Sequence, residues 1–304
     1  MITPQLQKKI DFAIKLLQAI PSDDIEVAFS GGKDSSVILQ LCKDAGIMHK
    51  CTPIYKNTTI DPKGNIAFCK SQGCRVISPS KVKYNKDGTA TIERYNFFSM
   101  MEKYGYPSMF YRWCCSLFKE YKCKDYAIIG VRKDESKKRT NRYKEPEECR
   151  VFNGKKANKK RTNVARQYYP ILEWTNQDVY DYLEDRKTPI NNLYTDNYGG
   201  GYLDTARRLG CICCPLKSKK SQIEDFKNNP AFLKLYIKHG MIWLENERKK
   251  GGKSAKIFDN IYEKFFYHLW CDSKQDFYHK VGKGGLFPQM DCKKFLEDYF
   301  QVKL

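Results

Sequence analysis

The stretch Val27-Ala28-Phe29-Ser30-Gly31-Gly32-Lys33-Asp34-Ser35-Ser36-Val37 decides the fold. Ile25, Val27 and Phe29 alternate as in a strand, whereas Val37, Ile38 and Leu41 recur at helical spacing. Between them two glycines can adopt backbone angles closed to other residues, letting several amides converge on an anion at the positive end of the helix. Lys33 adds charge, and Ser30, Ser35 and Ser36 add hydroxyl donors. The pattern predicts a phosphate site at a strand-to-helix elbow, against the alternative of a tight turn with Ser35 or Ser36 as helix cap. Lys33 and Asp34 are expected to point out of the loop surface. A Walker loop is excluded: its nearest approach, Gly252-Lys253-Ser254, has Glu247 where the first glycine belongs.

The 304 residues suffice for a full α/β core with a smaller appended region. No run of about 18 apolar residues and no signal-peptide core is found, so a soluble, cytoplasmic protein without membrane contact is expected. Thirteen cysteines in such a compartment argue for metal ligands rather than a disulfide framework. The net charge of +20, from 55 Lys and Arg against 35 Asp and Glu, favours polyanionic partners. Much of it lies in two runs, Lys137–Lys144 and Lys155–Arg161, expected as an exposed loop or insertion over about 137–165. The insertion reads either as a solvated surface or as a contact for DNA or RNA.

Strands and helices alternate along the first part. Helices are expected over Leu6–Leu17, from the glycine turn to about Ala45, near Asn65–Ser71 and over Phe110–Lys122. Strands are expected at Thr52–Tyr55, Arg75–Ile77 and Tyr126–Val131. Such alternation implies an α/β fold, a mostly parallel sheet with helices on both faces. Thr175-Asn176-Gln177-Asp178 resembles a capping box opening a helix to about Leu183. Residues 1–218 are read as a nucleotide-binding domain and 219–304 as a helical C-terminal region, with Phe226, Phe232, Leu235, Tyr236 and Ile242 in its core.

Cys114-Cys115 and Cys211-Ile212-Cys213-Cys214 stand apart from the other cysteines as a pair and a Cys-x-x-Cys. Four such thiolates suit a tetrahedral metal such as Zn²⁺ or an iron-sulfur cube. Adjacent cysteines diverge too far to share one ion comfortably, which favours a cluster. Cys114 or Cys115 merely packing in a helix is the competing reading.

Taken together, these motifs resemble the phosphoadenosine-phosphosulfate (PAPS) reductase family, within the PP-loop, adenine nucleotide α-hydrolase-like enzymes. Besides the glycine turn, the resemblance covers Thr59-Ile60-Asp61-Pro62 and Arg112-Trp113-Cys114-Cys115 with Lys119. It continues through Gly130-Val131-Arg132-Lys133-Asp134-Glu135-Ser136 with Arg139, Pro170-Ile171 with Trp174-Thr175 and Asp178-Val179, and Gly210-Cys211 with Cys214-Pro215. It implies ATP with Mg²⁺ over Ser30–Ser36, with Thr59, Asp61, Arg132, Ser136 and Arg139 also facing the nucleotide. Lys33, Asp34, Arg132 and Glu135 are implied as catalytic, and a [4Fe-4S] cluster on Cys114, Cys115, Cys211 and Cys214. For Arg132 and Glu135 the alternative is an ion pair at a strand end.

The assimilatory reductases of that family carry a nucleophilic cysteine in a C-terminal Glu-Cys-Gly-Leu-His segment, and Glu297-Asp298-Tyr299-Phe300-Gln301-Val302-Lys303-Leu304 has none. With its complete Ser-Gly-Gly-Lys-Asp-Ser loop, the chain looks more like sulfurtransferase subunits of DNA phosphorothioation or nucleic-acid thiolation. The expected activity is ATP cleavage between the α and β phosphates, adenylating an acceptor for sulfur transfer with a sulfur-donor protein as partner. A sulfonucleotide reductase producing sulfite, and a metal-stabilised nucleic-acid-binding protein without catalysis, are the alternatives.

Overall fold

The computed structural model describes residues 2–85, 87–152, 164–194, 209–285 and 288–304. In chain order its elements begin α1 (Pro4–Gln18), β1 (Ile25–Ala28), α2 (Lys33–Asp44), β2 (Cys51–Lys56), α3 (Asn65–Ser71) and β3 (Arg75–Ile77). They continue with β4 (Ser80–Tyr84), β5 (Ala90–Arg94), α4 (Phe97–Tyr104), α5 (Trp113–Phe118), β6 (Tyr126–Ile128), α6 (Lys137–Arg142), β7 (Glu147–Val151), β8 (Val164–Tyr168) and α7 (Asn176–Asp185). Helices α8 (Lys219–Asn228), α9 (Pro230–Lys249), α10 (Ile261–Trp270), α11 (Lys274–Val281) and α12 (Cys292–Phe300) follow. No helix among the described residues is long and apolar enough to cross a membrane.

Two compact units divide the chain: Met1–Asn57, Asp61–Ser78 and Leu117–Gly210 form one, and Thr58–Ile60, Pro79–Ser116 and Cys211–Leu304 form the other. The first holds a six-stranded sheet in the order β3-β2-β1-β6-β8-β7, parallel except for the edge strand β7. Strand β1 is central because Ile25 and Val27 are fully buried against a core with Leu6, Ile10, Val37, Leu41 and Val179. Thr175 opens α7 with both arms of a capping box, its side chain accepting from the Asp178 amide at 3.1 Å while Asp178 takes the Thr175 amide at 2.7 Å. This doubly wound arrangement leaves the C-terminal ends of the parallel strands as the place for a ligand.

The second unit packs α8 to α10 around aromatic rings: Phe226, Tyr236 and Phe265 are buried, with Phe226 edge-on to the other two at 5.0 and 5.1 Å between centroids. It also carries the β4–β5 hairpin, which the sequence reading missed because Val82 and Ile92 pair across it in solvent.

Several expectations need correction. The helix expected over Phe110–Lys122 is only Trp113–Phe118. Ser108 and Tyr111 exchange backbone hydrogen bonds in a turn that leaves Phe110 96% exposed, and the lysine-rich stretch after Phe118 has no apolar stripe to bury. Strand β6 stops at Ile128, because the Val131 amide turns back to the Ile129 carbonyl. The first basic run is not a loop: Ser136 caps α6, and Arg142 grips Glu148 of β7 through two nitrogens at 2.8 and 2.9 Å. The second run, Lys155–Arg161, lies outside the described residues. In α9 the core face is turned by one position, so Leu233, Ile237 and Leu244 are buried where Phe232, Leu235 and Ile242 are half-buried.

Candidate active site

The turn after β1 is built around Gly31, whose φ of 77° lies in the left-handed region. A Cβ there would stand 2.1 Å from Asn65 Oδ1, so both the backbone angle and the space require glycine. Asn65, buried at the start of α3, donates to the Ser30 carbonyl at 3.2 Å and to the Tyr55 hydroxyl at 3.3 Å, and accepts from Asn191 at 2.9 Å. Tyr55 in turn donates to Asp61, and burial pushes its phenol well above the usual range. Within the loop the Ser35 hydroxyl donates to the Gly32 carbonyl at 2.7 Å and accepts from the Ser30 amide at 3.2 Å. The Tyr194 hydroxyl accepts from the Lys33 amide at 3.2 Å and the Leu209 amide at 3.2 Å.

What these bonds leave over matters most. Among the described residues the backbone amides of Gly31, Asp34 and Ser35 make no hydrogen bond, while the Ser36 amide closes the first helical bond on the Gly32 carbonyl at 3.0 Å. Orphan amides at the start of a 12-residue helix, added to the helix dipole, form an anion site. Asp34 and Ser35 border a cavity of about 480 Å³ that Ser30, Gly32, Lys33 and Asp61, among others, also line, within the size range of small-molecule sites.

The sequence-derived candidates do not all reach this cavity. Lys33 and Asp34 line it but do not project from a loop surface: Lys33 is only 4% exposed. Asp34 accepts from Arg132 Nε at 2.6 Å, and Arg132, itself buried, also reaches Asp134 at 3.3 Å, the Trp174 carbonyl at 3.4 Å and Asn176 at 3.2 Å. Glu135 and Arg139 line the cavity as an ion pair. Gly31, Ser36, Thr59 and Ser136 do not line it: the Ser36 hydroxyl is buried without a partner among the described residues, Ser136 caps α6, and Thr59 in the second unit accepts from the Phe97 amide at 2.8 Å. Gly130 is needed because a side chain there would meet the Asp34 carbonyl at 3.1 Å. Tyr55, Asn65, Asn191 and Tyr194 were missed; the one available signal was the polar Asn65 opening a helix just after Asp61-Pro62.

In the second unit Cys114 and Cys115 start α5, and Cys211 and Cys214 lie in the turn before α8. The Cys114 thiol is held far above its usual range by its hydrogen bond with Cys115 and by burial, and further by the charges of Cys115, Cys211 and Cys214. The four are therefore electrostatic neighbours. Cys211 donates to the Thr58 hydroxyl at 3.4 Å. Cys213 is different: it is buried, its φ is 56°, and its amide donates to Asp225 at 2.7 Å. Among the described residues no group of three or more His, Cys, Asp or Glu is arranged to hold a metal ion.

Residues 24–217 match the model of the phosphoadenosine phosphosulfate reductase domain. The chain belongs to this family. Two uncharacterized proteins of Methanocaldococcus jannaschii are similar to this PAPS reductase-family chain, one 26% identical over 208 residues and the other 29% over 200, each across 63% of the chain. The matched stretches are 36% and 41% of those proteins, so the chain spans less than half of their length. Among solved structures, Candida glabrata FMN adenylyltransferase is 16% identical over 66% of the chain and 62% of its own, with a TM-score of 0.38. The U34-tRNA thiolase NcsA of Methanococcus maripaludis, solved with its [4Fe-4S] cluster, is 17% identical over 80% of the chain and 78% of its own, with a TM-score of 0.35. The six-stranded, mostly parallel sheet with its glycine turn is the α/β fold expected from the sequence.

Gly31→Ala should lower the unfolding free energy by about 1–3 kcal/mol, since it adds backbone strain and a clash with Asn65. Gly46→Ala, at a φ of 71° with no atom within 4 Å of the added Cβ, carries the backbone cost alone, about 1 kcal/mol. Equal losses for the two in urea titrations would show that the Asn65 contact does not constrain the loop.

Proposed function

We propose that this chain is an ATP pyrophosphatase of the PAPS reductase family that adenylates an acceptor for sulfur transfer. The observation that carries this is the pair of unbonded amides of Asp34 and Ser35 in the first turn of α2, bordering a cavity that Lys33 also lines, with the unbonded Gly31 amide in the turn before them. Phosphates of ATP lie over Ser30–Ser36, with those amides and the Ser35 hydroxyl as donors. Lys33 stabilises the charge of the departing pyrophosphate. Asp34 and Asp61 are the carboxylates that would hold Mg²⁺, which neutralises the same charge. Arg132 acts through Asp34: its four contacts fix that carboxylate, making it a positioning residue rather than a phosphate clamp. Glu135 and Arg139 flank the acceptor side. An acceptor oxygen attacks the α-phosphorus, the bond to the β-phosphate oxygen breaks, and pyrophosphate leaves. Each well-placed donor is worth on the order of 10²–10³ in rate.

The acceptor is taken to be nucleic acid, on the strength of the +20 net charge and the basic run Lys137–Lys144 that follows Arg132 and Glu135 in the sequence. Cys114, Cys115, Cys211 and Cys214 would hold a [4Fe-4S] cluster. An all-thiol donor set in which Cys115, Cys211 and Cys214 each act on Cys114 is the donor chemistry of a cluster with irons at separate corners. Such a group supplies an iron face able to bind or reduce sulfur.

With ATP and Mg²⁺, the wild-type chain should release pyrophosphate, and Lys33→Ala should reduce that release by at least 10²-fold while the melting temperature stays within a few degrees. Asp34→Asn is the companion variant, because Asp34→Ala would strand the buried Arg132 charge at a cost of about 3–5 kcal/mol. Unchanged release from both variants contradicts the site.

Anaerobically isolated protein should contain iron and absorb broadly at about 400 nm. Serine at Cys114, Cys115, Cys211 or Cys214 should remove the iron, and Cys213→Ser should not. Because Cys114 holds its proton tightly, iron uptake should increase as pH rises. Stoichiometric zinc without iron would contradict the cluster.

A further inference from the structure

The cavity does not end at the phosphate loop. It continues over one face of the sheet, where parallel register places Glu26 of β1, Ala127 of β6 and Gln167 of β8 in one row. All three line the cavity. Neighbouring strands are about 4.8 Å apart, so Glu26 and Gln167 stand roughly 10 Å apart across the alanine. One residue pair further along, Ala28 lies beside Ile54, and Ile129 follows Ala127 on the same face. The floor is therefore small and apolar, and its two sides are polar.

Both polar groups are buried and incompletely used. Glu26 is 3% exposed, and among the described residues its one ion-pair partner is Lys56 at 3.0 Å. A carboxylate has about four acceptor positions, so acceptor capacity is left facing the cavity. Lys56 is itself fixed by the Tyr121 carbonyl at 2.8 Å and by the Tyr121 ring at 4.7 Å, which holds Glu26 from one side only. Gln167 is 3% exposed; its carbonyl oxygen accepts from the Tyr169 hydroxyl at 2.9 Å, while its amide nitrogen makes no hydrogen bond among the described residues. A buried carboxylate is costly to retain in a core, and apolar residues there would serve packing better.

We propose that this slot, Glu26 and Gln167 across the Ala127 floor, binds an amino-bearing nucleobase. This deepens the ATP reading and rests on it. The Glu26 carboxylate accepts from the exocyclic amine, the Gln167 amide donates to a ring nitrogen or carbonyl of the same base, and Ala28, Ile54 and Ile129 contact the ring. A carboxylate acceptor repels a carbonyl at the amine's position, so the slot selects adenine or cytosine against hypoxanthine or uracil. The base comes either from ATP itself or from the acceptor nucleic acid.

The test compares affinities of the full chain for ATP and ITP, and for short cytidine and uridine oligonucleotides, in wild type, Glu26→Gln and Gln167→Leu. If the slot holds the base of ATP, wild type prefers ATP over ITP roughly tenfold, and both variants bring the ratio close to one. If it holds the acceptor's base, ATP and ITP bind alike, and a similar preference for the cytidine oligonucleotide disappears in the variants. Preferences that are missing from wild type, or that persist in both variants with unaltered circular dichroism, overturn the slot. A wild-type chain that binds neither nucleotide overturns the ATP reading instead, and the oligonucleotide comparison then still decides the slot.

Discussion

At Gly31 the backbone runs so close to Asn65 that even a methyl group has no place, and from that contact the rest of the site follows. Asn65 spends its amide protons on the Ser30 carbonyl and the Tyr55 hydroxyl and its oxygen on Asn191, so the first residue of α3 holds the turn after β1. Tyr194 takes the Lys33 amide from the other side. The loop is thus held by groups outside it, and the amides of Gly31, Asp34 and Ser35 are left open. A pre-organised set of donors loses little freedom when an anion arrives, which is where such sites gain their strength.

Arg132 and Asp34 show how burial changes a residue's role. An arginine at a strand end invites the reading of an oxyanion clamp, yet its guanidinium lies 3% exposed among two carboxylates, a carbonyl and an amide. In water such a pair would contribute little; buried, the loss of either partner leaves a charge uncompensated. The pair therefore secures the orientation of Asp34 at the mouth of the cavity.

How far the sequence was legible follows the range of the interactions. The strand, glycine turn and α2 are local, and their periods and turn chemistry place them within a residue or two. Thr175 and Asp178 signal a helix start three residues apart, and the capping box forms as read. The clamp on the loop was not legible, because Asn65, Asn191 and Tyr194 converge from positions up to 161 residues away and none belongs to a local pattern. The α5 boundary failed for a related reason: the aromatic run before Arg112 looks helical in hydrophobicity but closes as a turn at Ser108 and Tyr111. Strands β4 and β5 carried no buried alternation at all, since both faces of the hairpin meet solvent.

Catalysis at this site requires that the loop amides receive phosphate. Hydrogen–deuterium exchange with and without ATP and Mg²⁺ reports on them directly, using peptides that cover Phe29 to Leu41 and the remainder of the chain. Slowed exchange concentrated in the segment containing Gly31, Asp34 and Ser35 is the predicted result. Unchanged exchange there, with protection by ATP appearing elsewhere in the chain, would contradict it.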